Sequence, residues 1–331
     1  MGKQEFKRLK STTERLRFLG ESYGALIGIL LILIVFNMFN PMFLRLANIW
    51  NVFKASTFLI LMAMGMTLVM SVRGIDLSIA QVADASGVIA AYLILHNVNA
   101  IAAVVIALFF GFLVGTINAA LMAYLGVPAL IGTLGMMYIV RSFELVLTNG
   151  SQPQILFTSP RNITIAFLNL GQGQIGAIPV SLFIGIAFMI LVFLLKEKSI
   201  TGRHMDAIMV NVRASFLSGI NVRKTFGIAF LCSSFLAALA GLLISARAGG
   251  ATPRAVESYL NDCFVAVYIG TLLSKSRKFN VLGTIIGCLF VSFLSNFFTL
   301  MSLSNGIKNL FNGAFIIMAV ALGTIKDIKN K

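Results

Sequence analysis

The run from Asn97 to Val140 holds 44 residues without one charged side chain. A soluble fold could hide such a run only behind a polar surface, and this chain has little material for one. Charged residues make up 11% of its 331 residues, against about 25% in a soluble domain. Hydrophobic residues make up 58% and the mean hydropathy is +0.94. The same numbers exclude disorder and predict an integral membrane protein. One membrane-spanning helix needs about 20 residues, so Asn97–Val140 is too long for one. Gly126-Val127-Pro128 breaks it and predicts spans near 100–124 and 128–147. A barrel would need alternating polar and apolar residues, which are absent. The fold class is therefore all-α, because a spanning helix satisfies its own backbone.

Charged residues punctuate the rest of the chain into further spans: Ser22–Leu44, Ala55–Val72, Leu77–Leu95, Ile178–Leu195, Thr225–Ala246, Tyr259–Ser274, Phe279–Ile307 and Asn309–Ile325. That gives about ten transmembrane helices in one domain over 23–325. Basic tails lie at 1–22 and 326–331, and no cleavable signal peptide is evident. The formal charge is +15, which on a soluble chain would suggest nucleic acid. Sorted by side, with the N-terminus inside, 19 Lys and Arg fall on the inner segments and six on the outer. This is a positive-inside pattern that places both termini in the cytoplasm and removes the need for nucleic acid.

Between spans, the outer segment 148–177 is polar and turn-rich and reads as a surface loop. The inner segment 196–224 is different. Met205–Val210 and Ala214–Leu217 are apolar at helical spacing between cations, and Gly219 breaks the pattern, so two short helices with a turn are expected. Such a segment contacts either a partner or anionic membrane lipid. Gly111–Gly115 and Gly283–Gly287 are G-x-x-x-G motifs five spans apart. They fit a five-plus-five inverted repeat, although the motif alone often marks plain helix packing.

Enzymatic signatures are missing. There is no P-loop, no H-E-x-x-H, no C-x-x-C and no G-x-S-x-G, so no cofactor and no metal site are expected in this chain. Cys232, Cys263 and Cys288 are widely spaced and read as small core residues. Inside the membrane, Asp84 and Gln81 share one helix face, either towards a central path or in an interhelical contact. Asn118 has the same two readings. Asp76 is expected to cap the third span. Arg141 and Glu144, three apart, are expected to neutralise one another, and Glu257 and Asp262 to sit near the outer face.

From Gly74–Ser78 (Gly-Ile-Asp-Leu-Ser) onward the chain resembles a known family. Ser86–Ala91, Ala123–Ala129, Thr133–Met137, Gly202-Arg203, Leu217–Asn221 and Ala237–Leu242 follow in order. Together they are similar to the permease subunit of bacterial sugar-uptake ABC transporters, of the ribose, xylose, arabinose and galactose type, over about 25–325. The resemblance implies several partners: a cytoplasmic ATP-binding subunit carrying ATP and Mg, a second permease copy or paralogue, and an extracytoplasmic solute-binding protein. It makes 196–224 the loop that docks on the ATPase, with Gly202, Arg203, Arg213, Ala214, Gly219 and Ile220 as its candidate residues. Gln81, Asp84 and Asn118 become candidates for the translocation path. Three departures stand out. Arg213 occupies the place of a Glu in the family's E-A-A-x-x-x-G signature. A Gly-rich turn is replaced around 274–280 by Lys275, Arg277 and Lys278. Asp84 replaces a small apolar residue. A monosaccharide is the expected solute. Nucleosides or branched-chain amino acids are the alternative, and an ion-coupled secondary transporter is a third reading suggested by Asp84.

Overall fold

The computed structural model describes residues 27–273 and 278–329. The basic tail 1–22, Lys275 and Arg277 lie outside the described residues. Among the described residues thirteen helices form, and ten of them overlap the ten expected spans. These are α1 (Ile27–Phe39), α2 (Leu46–Met70), α3 (Ile79–Leu95), α4 (Ala100–Ala123), α5 (Ala129–Leu147), α7 (Val180–Phe193), α10 (Val222–Ala248), α11 (Tyr259–Leu272), α12 (Val281–Leu300) and α13 (Asn305–Lys329). The other three are α6 (Arg161–Gln172), α8 (Ile200–Val210) and α9 (Val212–Leu217). Six helices are long and apolar enough to cross a membrane: α2, α4, α5, α7 with its extension to Lys198, α10 and α12. Helices α1, α3 and α11 are apolar but shorter. Helix α3 is shortened because Gly74–Ser78 is spent on a turn, and α11 because residues 252–258 form a loop before Tyr259.

Asn side chains start several of these helices. Asn99, Asn211, Asn221 and Asn280 accept from the backbone N–H of Ile101, Ala214, Lys224 and Gly283 at 2.9, 3.0, 2.9 and 2.6 Å. Each satisfies a donor that the first helical turn cannot pair. Helix α13 continues to Lys329, into the segment expected to form the basic tail.

The centre of the bundle is α2, α3 and α10, flanked by α11 and α12. Helix α2 is buried from Ser56 to Met70, and α3 from Ile79 to Ala91. By contrast α4, α5 and α7 turn large apolar side chains outward, among them Phe109, Phe112, Ile131 and Ile190. Both groups are apolar all round, as expected where the outer solvent is lipid rather than water. Close crossings in the centre depend on small residues. A Cβ at Gly241 on α10 would fall on the backbone carbonyl of Ala83 on α3.

The packing supports the internal repeat. With spans numbered one to ten, span four (α4) packs on span seven (α10), and span nine (α12) packs on span two (α2). Spans three and four pack together, as do eight and nine; three packs on seven, and eight on two; three on five, and eight on ten. Exchanging each span with the one five away maps these pairs onto one another, whereas the packing of span four on five and of span two on three has no such counterpart among the described residues. The two G-x-x-x-G motifs do not take equivalent partners: Gly111 and Gly115 of span four lie against span seven (α10), whereas Gly283 and Gly287 of span nine lie against span eight (α11), so each motif serves local helix packing.

The segment 148–177 departs from the surface-loop expectation. Asn149, Gly150 and Ser151 do form a turn with positive φ, but Arg161–Gln172 is a helix that packs on α10 and α4 with Phe167 fully buried. Its polar content masks a helical spacing of Ile163, Phe167 and Leu170. Two short ladders pin this region: β1 (Gln154–Ile155) pairs with β4 (Gly250–Ala251), and β2 (Gln174–Ile175) with β3 (Ile178–Pro179).

Candidate functional site

Polar groups gather at four places. The first is the segment 196–224, which forms the two expected short helices. Ser199 caps α8 through the Gly202 N–H at 3.2 Å. Gly202 is buried where a Cβ would fall on the Lys196 carbonyl, so the chain reverses there only with glycine. Met205 and Ile208 are fully buried in the main core. Arg203, Arg213 and Ala214 are exposed, as are Phe216 and Leu217. Gly219 turns the chain with φ +82°. A groove of about 830 Å³ is lined by Val212, Arg213, Phe216, Gly219, Ile220 and Arg223. It combines apolar surface with cations, and no acidic residue lines it.

Three anchors fix this segment to the bundle. Arg73 donates from Nε to the Met209 carbonyl (2.8 Å) and from Nη2 to the Val210 carbonyl (3.0 Å), holding the last turn of α8. Buried Lys196 pairs with Asp206, which also receives Lys278 at 3.5 Å. Glu197 Oε1 accepts from the Val281 N–H at 3.1 Å, at the start of α12. None of Arg73, Glu197 or Asp206 was marked by sequence reasoning. Arg73 had a signal: it stands alone among apolar residues just before the Gly74–Ser78 turn.

The second place is that turn. Asp76 is fully buried. Its Oδ1 accepts from the Ser78 N–H (3.0 Å) and the Ser78 hydroxyl (2.6 Å), and its Oδ2 from the Ser233 hydroxyl on α10 (2.9 Å). Asn118 Nδ2 donates to Ser78 Oγ at 3.0 Å. The capping expectation is corrected in detail. Ser78, not Asp76, sits at the N-cap of α3, and Asp76 closes an Asx turn and ties it to α10. Asn118 joins helices within this cluster.

The third place lies between α3, α5 and the loop 252–258. Gln81 and Asp84 are buried, as is Glu144 on α5. The loop backbone at Arg254 and Val256 lies close to the Asp84 carboxylate, and that at Arg254 also to Glu144. Arg141 does not neutralise Glu144 by a direct ion pair, as its spacing suggested. Its Nη1 reaches Glu257 Oε1 at 3.4 Å instead. On a helix a three-residue offset brings two side chains together only if both point along the shared face, and here Glu144 turns inward.

The fourth place is a cavity of about 330 Å³ among α2, α11, α12 and α13. Asn51, Tyr259, Ser292, Ser295, Asn296 and Thr299 supply neutral donors and acceptors to it. Arg247, Asp262 and Lys308 also line it. Asp262 is buried: its Oδ2 accepts from Lys308 (2.9 Å) and its Oδ1 from Asn312 (2.6 Å). A second cavity of about 180 Å³ shares Arg247 and adds Lys54, Gln172 and Ser181. Gln81, Asp84 and Asn118, the path candidates, line neither cavity. The cavity residues were missed because single Ser, Thr and Asn residues are common in any apolar helix. Their 3–4 spacing along α12 (Ser292, Ser295, Asn296, Thr299) was the available signal. Cys232, Cys263 and Cys288 are free.

Residues 48–320 match the family model described as branched-chain amino acid transport system / permease component. The ribose import permease of Haemophilus influenzae is 35% identical over 315 residues, 94% of this chain and 96% of that protein. The ribose import permease of Bacillus subtilis is 30% identical over 97% of this chain and 99% of its own length. The D-allose transport system permease of Escherichia coli is 28% identical over 91% of both. No solved structure matches the chain. A family model that covers almost the whole described bundle, and full-length relatives that all carry the name permease, agree with a multi-pass helical fold, and the chain belongs to the family of branched-chain amino acid transport system permease components.

Proposed function

We propose that this chain is the permease subunit of an ABC importer and that its solute is a monosaccharide. The observation that carries the reading is the cavity of about 330 Å³ lined by Asn, Ser, Thr and Tyr in a chain that is otherwise apolar. Sites that hold small molecules have volumes of about 300–1,000 Å³. Neutral hydroxyls need hydrogen bonds and no counter-ion, and these side chains both donate and accept. The Lys308 charge in the cavity is already answered by Asp262. The ribose and allose import relatives that span nearly the whole chain support the same solute class.

In this reading the chain has no ATPase site of its own, and ATP and Mg are held by a separate cytoplasmic subunit. That subunit docks on α8, α9 and the groove beside Arg213 and Gly219. Both chain termini lie on that side. A second permease copy or paralogue completes the pore, and an extracytoplasmic binding protein delivers the solute at the opposite end. The family description favours one alternative, a branched-chain amino acid. Such a solute would need a free carboxylate for its ammonium, and the one carboxylate among the residues that line the cavity, Asp262, is already paired with Lys308 and Asn312.

The test is uptake by the permease reconstituted with its ATPase and binding protein, comparing labelled ribose, allose, leucine and adenosine. ATP-dependent uptake of a sugar, undiminished by collapse of ion gradients and weakened at least tenfold by Asn296→Ala, is the expected result. Uptake that follows an ion gradient without ATP, or that carries leucine but no sugar, refutes it.

A further inference from the structure

The charges around Asp84 do not balance. Asp84 on α3, Glu144 on α5 and Glu257 in the loop 252–258 bring three carboxylates within electrostatic range of one another. Two guanidinium groups face them, Arg141 and Arg254, and both lie on Glu257, at 3.4 and 3.2 Å. One positive charge is missing. The deficit falls on the two most buried carboxylates, since Asp84 is 4% exposed and Glu144 0%. Asp84 Oδ2 and both Glu144 oxygens are buried without a hydrogen-bond partner, and so is Gln81 Oε1 one turn along α3. A desolvated carboxylate without a counter-charge is too costly to persist. The nearby amides of Arg254 and Val256 are dipoles, not charges, and cannot close the deficit.

The loop is built towards this pair. Arg254 holds a left-handed backbone at φ 69°, which an L side chain adopts only under constraint. That conformation brings the backbone of residue 254 close to both carboxylates. The loop then runs straight into α11, whose Tyr259 and Asp262 line the polar cavity.

We propose that one hard monovalent cation, a proton or a sodium ion, binds between Asp84 and Glu144 and completes the charge of this site. As a proton it forms an O–H on one carboxylate and is accepted by the other. As sodium it takes their oxygens, with Gln81 Oε1 in reach of the same face. Occupancy holds the loop 252–258, and with it the start of α11, against α3 and α5. The proposal is independent of the solute assignment, since it is read without transport.

The experiment measures the thermal midpoint of the purified full-length protein in lipid nanodiscs. One series varies pH at constant potassium, and the other varies sodium at constant pH, with potassium balancing ionic strength. Wild type is compared with Asp84→Asn and Glu144→Gln, each of which removes one negative charge at constant shape. A ligand that binds only the folded state raises the midpoint. The expected result is a wild-type midpoint that rises as pH falls, or as sodium rises, and a loss of that dependence in both variants. The first outcome assigns a proton, the second sodium. Wild type and variants that respond identically to both ions overturn the proposal. If neither variant folds, wild type decides alone. An infrared band of a buried protonated carboxyl, or one bound sodium per chain, supports the site, and the absence of both refutes it.

Discussion

Arg73 is where the segment 196–224 grips the bundle, and replacing it should loosen α8 without unfolding the chain. Its guanidinium donates two hydrogen bonds to the carbonyls of Met209 and Val210, at 2.8 and 3.0 Å. A hydrogen bond to a charged group contributes about 1.5–3 kcal/mol, and an exposed one sits at or below the low end. A cation at a helix C-terminus adds about 0.3–1 kcal/mol. Taken together, Arg73→Ala should cost α8 about 2 kcal/mol of docking free energy, which is about a thirtyfold rise in the detached population. Hydrogen exchange on the amides of Met205–Asn211 reads that population directly, and they should exchange about thirtyfold faster. Uptake per ATP hydrolysed should fall with it. The backbone offers a control. Arg73 has φ 61°, where an L residue is strained by about 1 kcal/mol and glycine is not. Arg73→Gly loses the same two bonds but relieves that strain. It should loosen α8 as much as Arg73→Ala while the whole protein melts later. Unchanged α8 exchange in both variants would refute the anchor. Equal melting of the two would refute the strain.

Other perturbations test the remaining contacts. Gly219→Pro is incompatible with φ +82°, because proline fixes φ near −65°; it should abolish coupling of ATP hydrolysis to uptake while leaving membrane insertion intact, as measured by uptake per ATP in membranes of normal permease content. Asp76→Asn leaves one of three donors on Ser78 and Ser233 without an acceptor and should cost about 1–3 kcal/mol, read as a lower thermal midpoint. Lys308→Met strands the buried Asp262 carboxylate and should cost about 3–5 kcal/mol. Adding Asp262→Asn should restore most of that loss, as a double-mutant cycle would show. Gly241→Val forces α10 away from Ala83 on α3, and its folded yield should collapse.

The span count could be read from charge punctuation because lipid allows so few ionisable residues. Lys224 and Arg247 bracket the uncharged run of α10 almost to its ends, whereas the run between Lys278 and Lys308 overshoots α12, which ends at Leu300, and reaches into the first turn of α13. Polar partners could not be read this way. Asp84 stood out as a charge in hydrocarbon, but its neighbours Glu144 and Glu257 come from segments about 60 and 170 residues further on, and only the tertiary fold brings them together. Arg141 shows the limit of local spacing. Its i,i+3 carboxylate was the obvious partner, yet the loop before α11 supplied a better one. Residues 161–172 failed for another reason: a helix lying on the bundle rather than within it needs only one apolar stripe, and the polar remainder dominates its composition.

Helix α12 connects the two ends of the molecule. At its first turn, Glu197 accepts the Val281 N–H. One turn on, Thr284 Oγ1 meets Thr67 Oγ1 of α2 at 2.7 Å. In its C-terminal half Ser292, Ser295, Asn296 and Thr299 line the cavity. Twenty residues of α-helix span about 30 Å at 1.5 Å per residue, and an unbroken hydrogen-bond ladder transmits a displacement along its axis with little loss. A shift of the Glu197–Asp206 region therefore moves the cavity wall, and the grip at Val281 is where the shift enters. The grip needs an acceptor, not a charge. Glu197→Gln keeps an oxygen for the Val281 N–H and should retain normal uptake per ATP, whereas Glu197→Ala should uncouple. If the two variants behave alike, α12 is not driven through this contact, and motion must reach the cavity through the α2–α3 turn held by Arg73 instead.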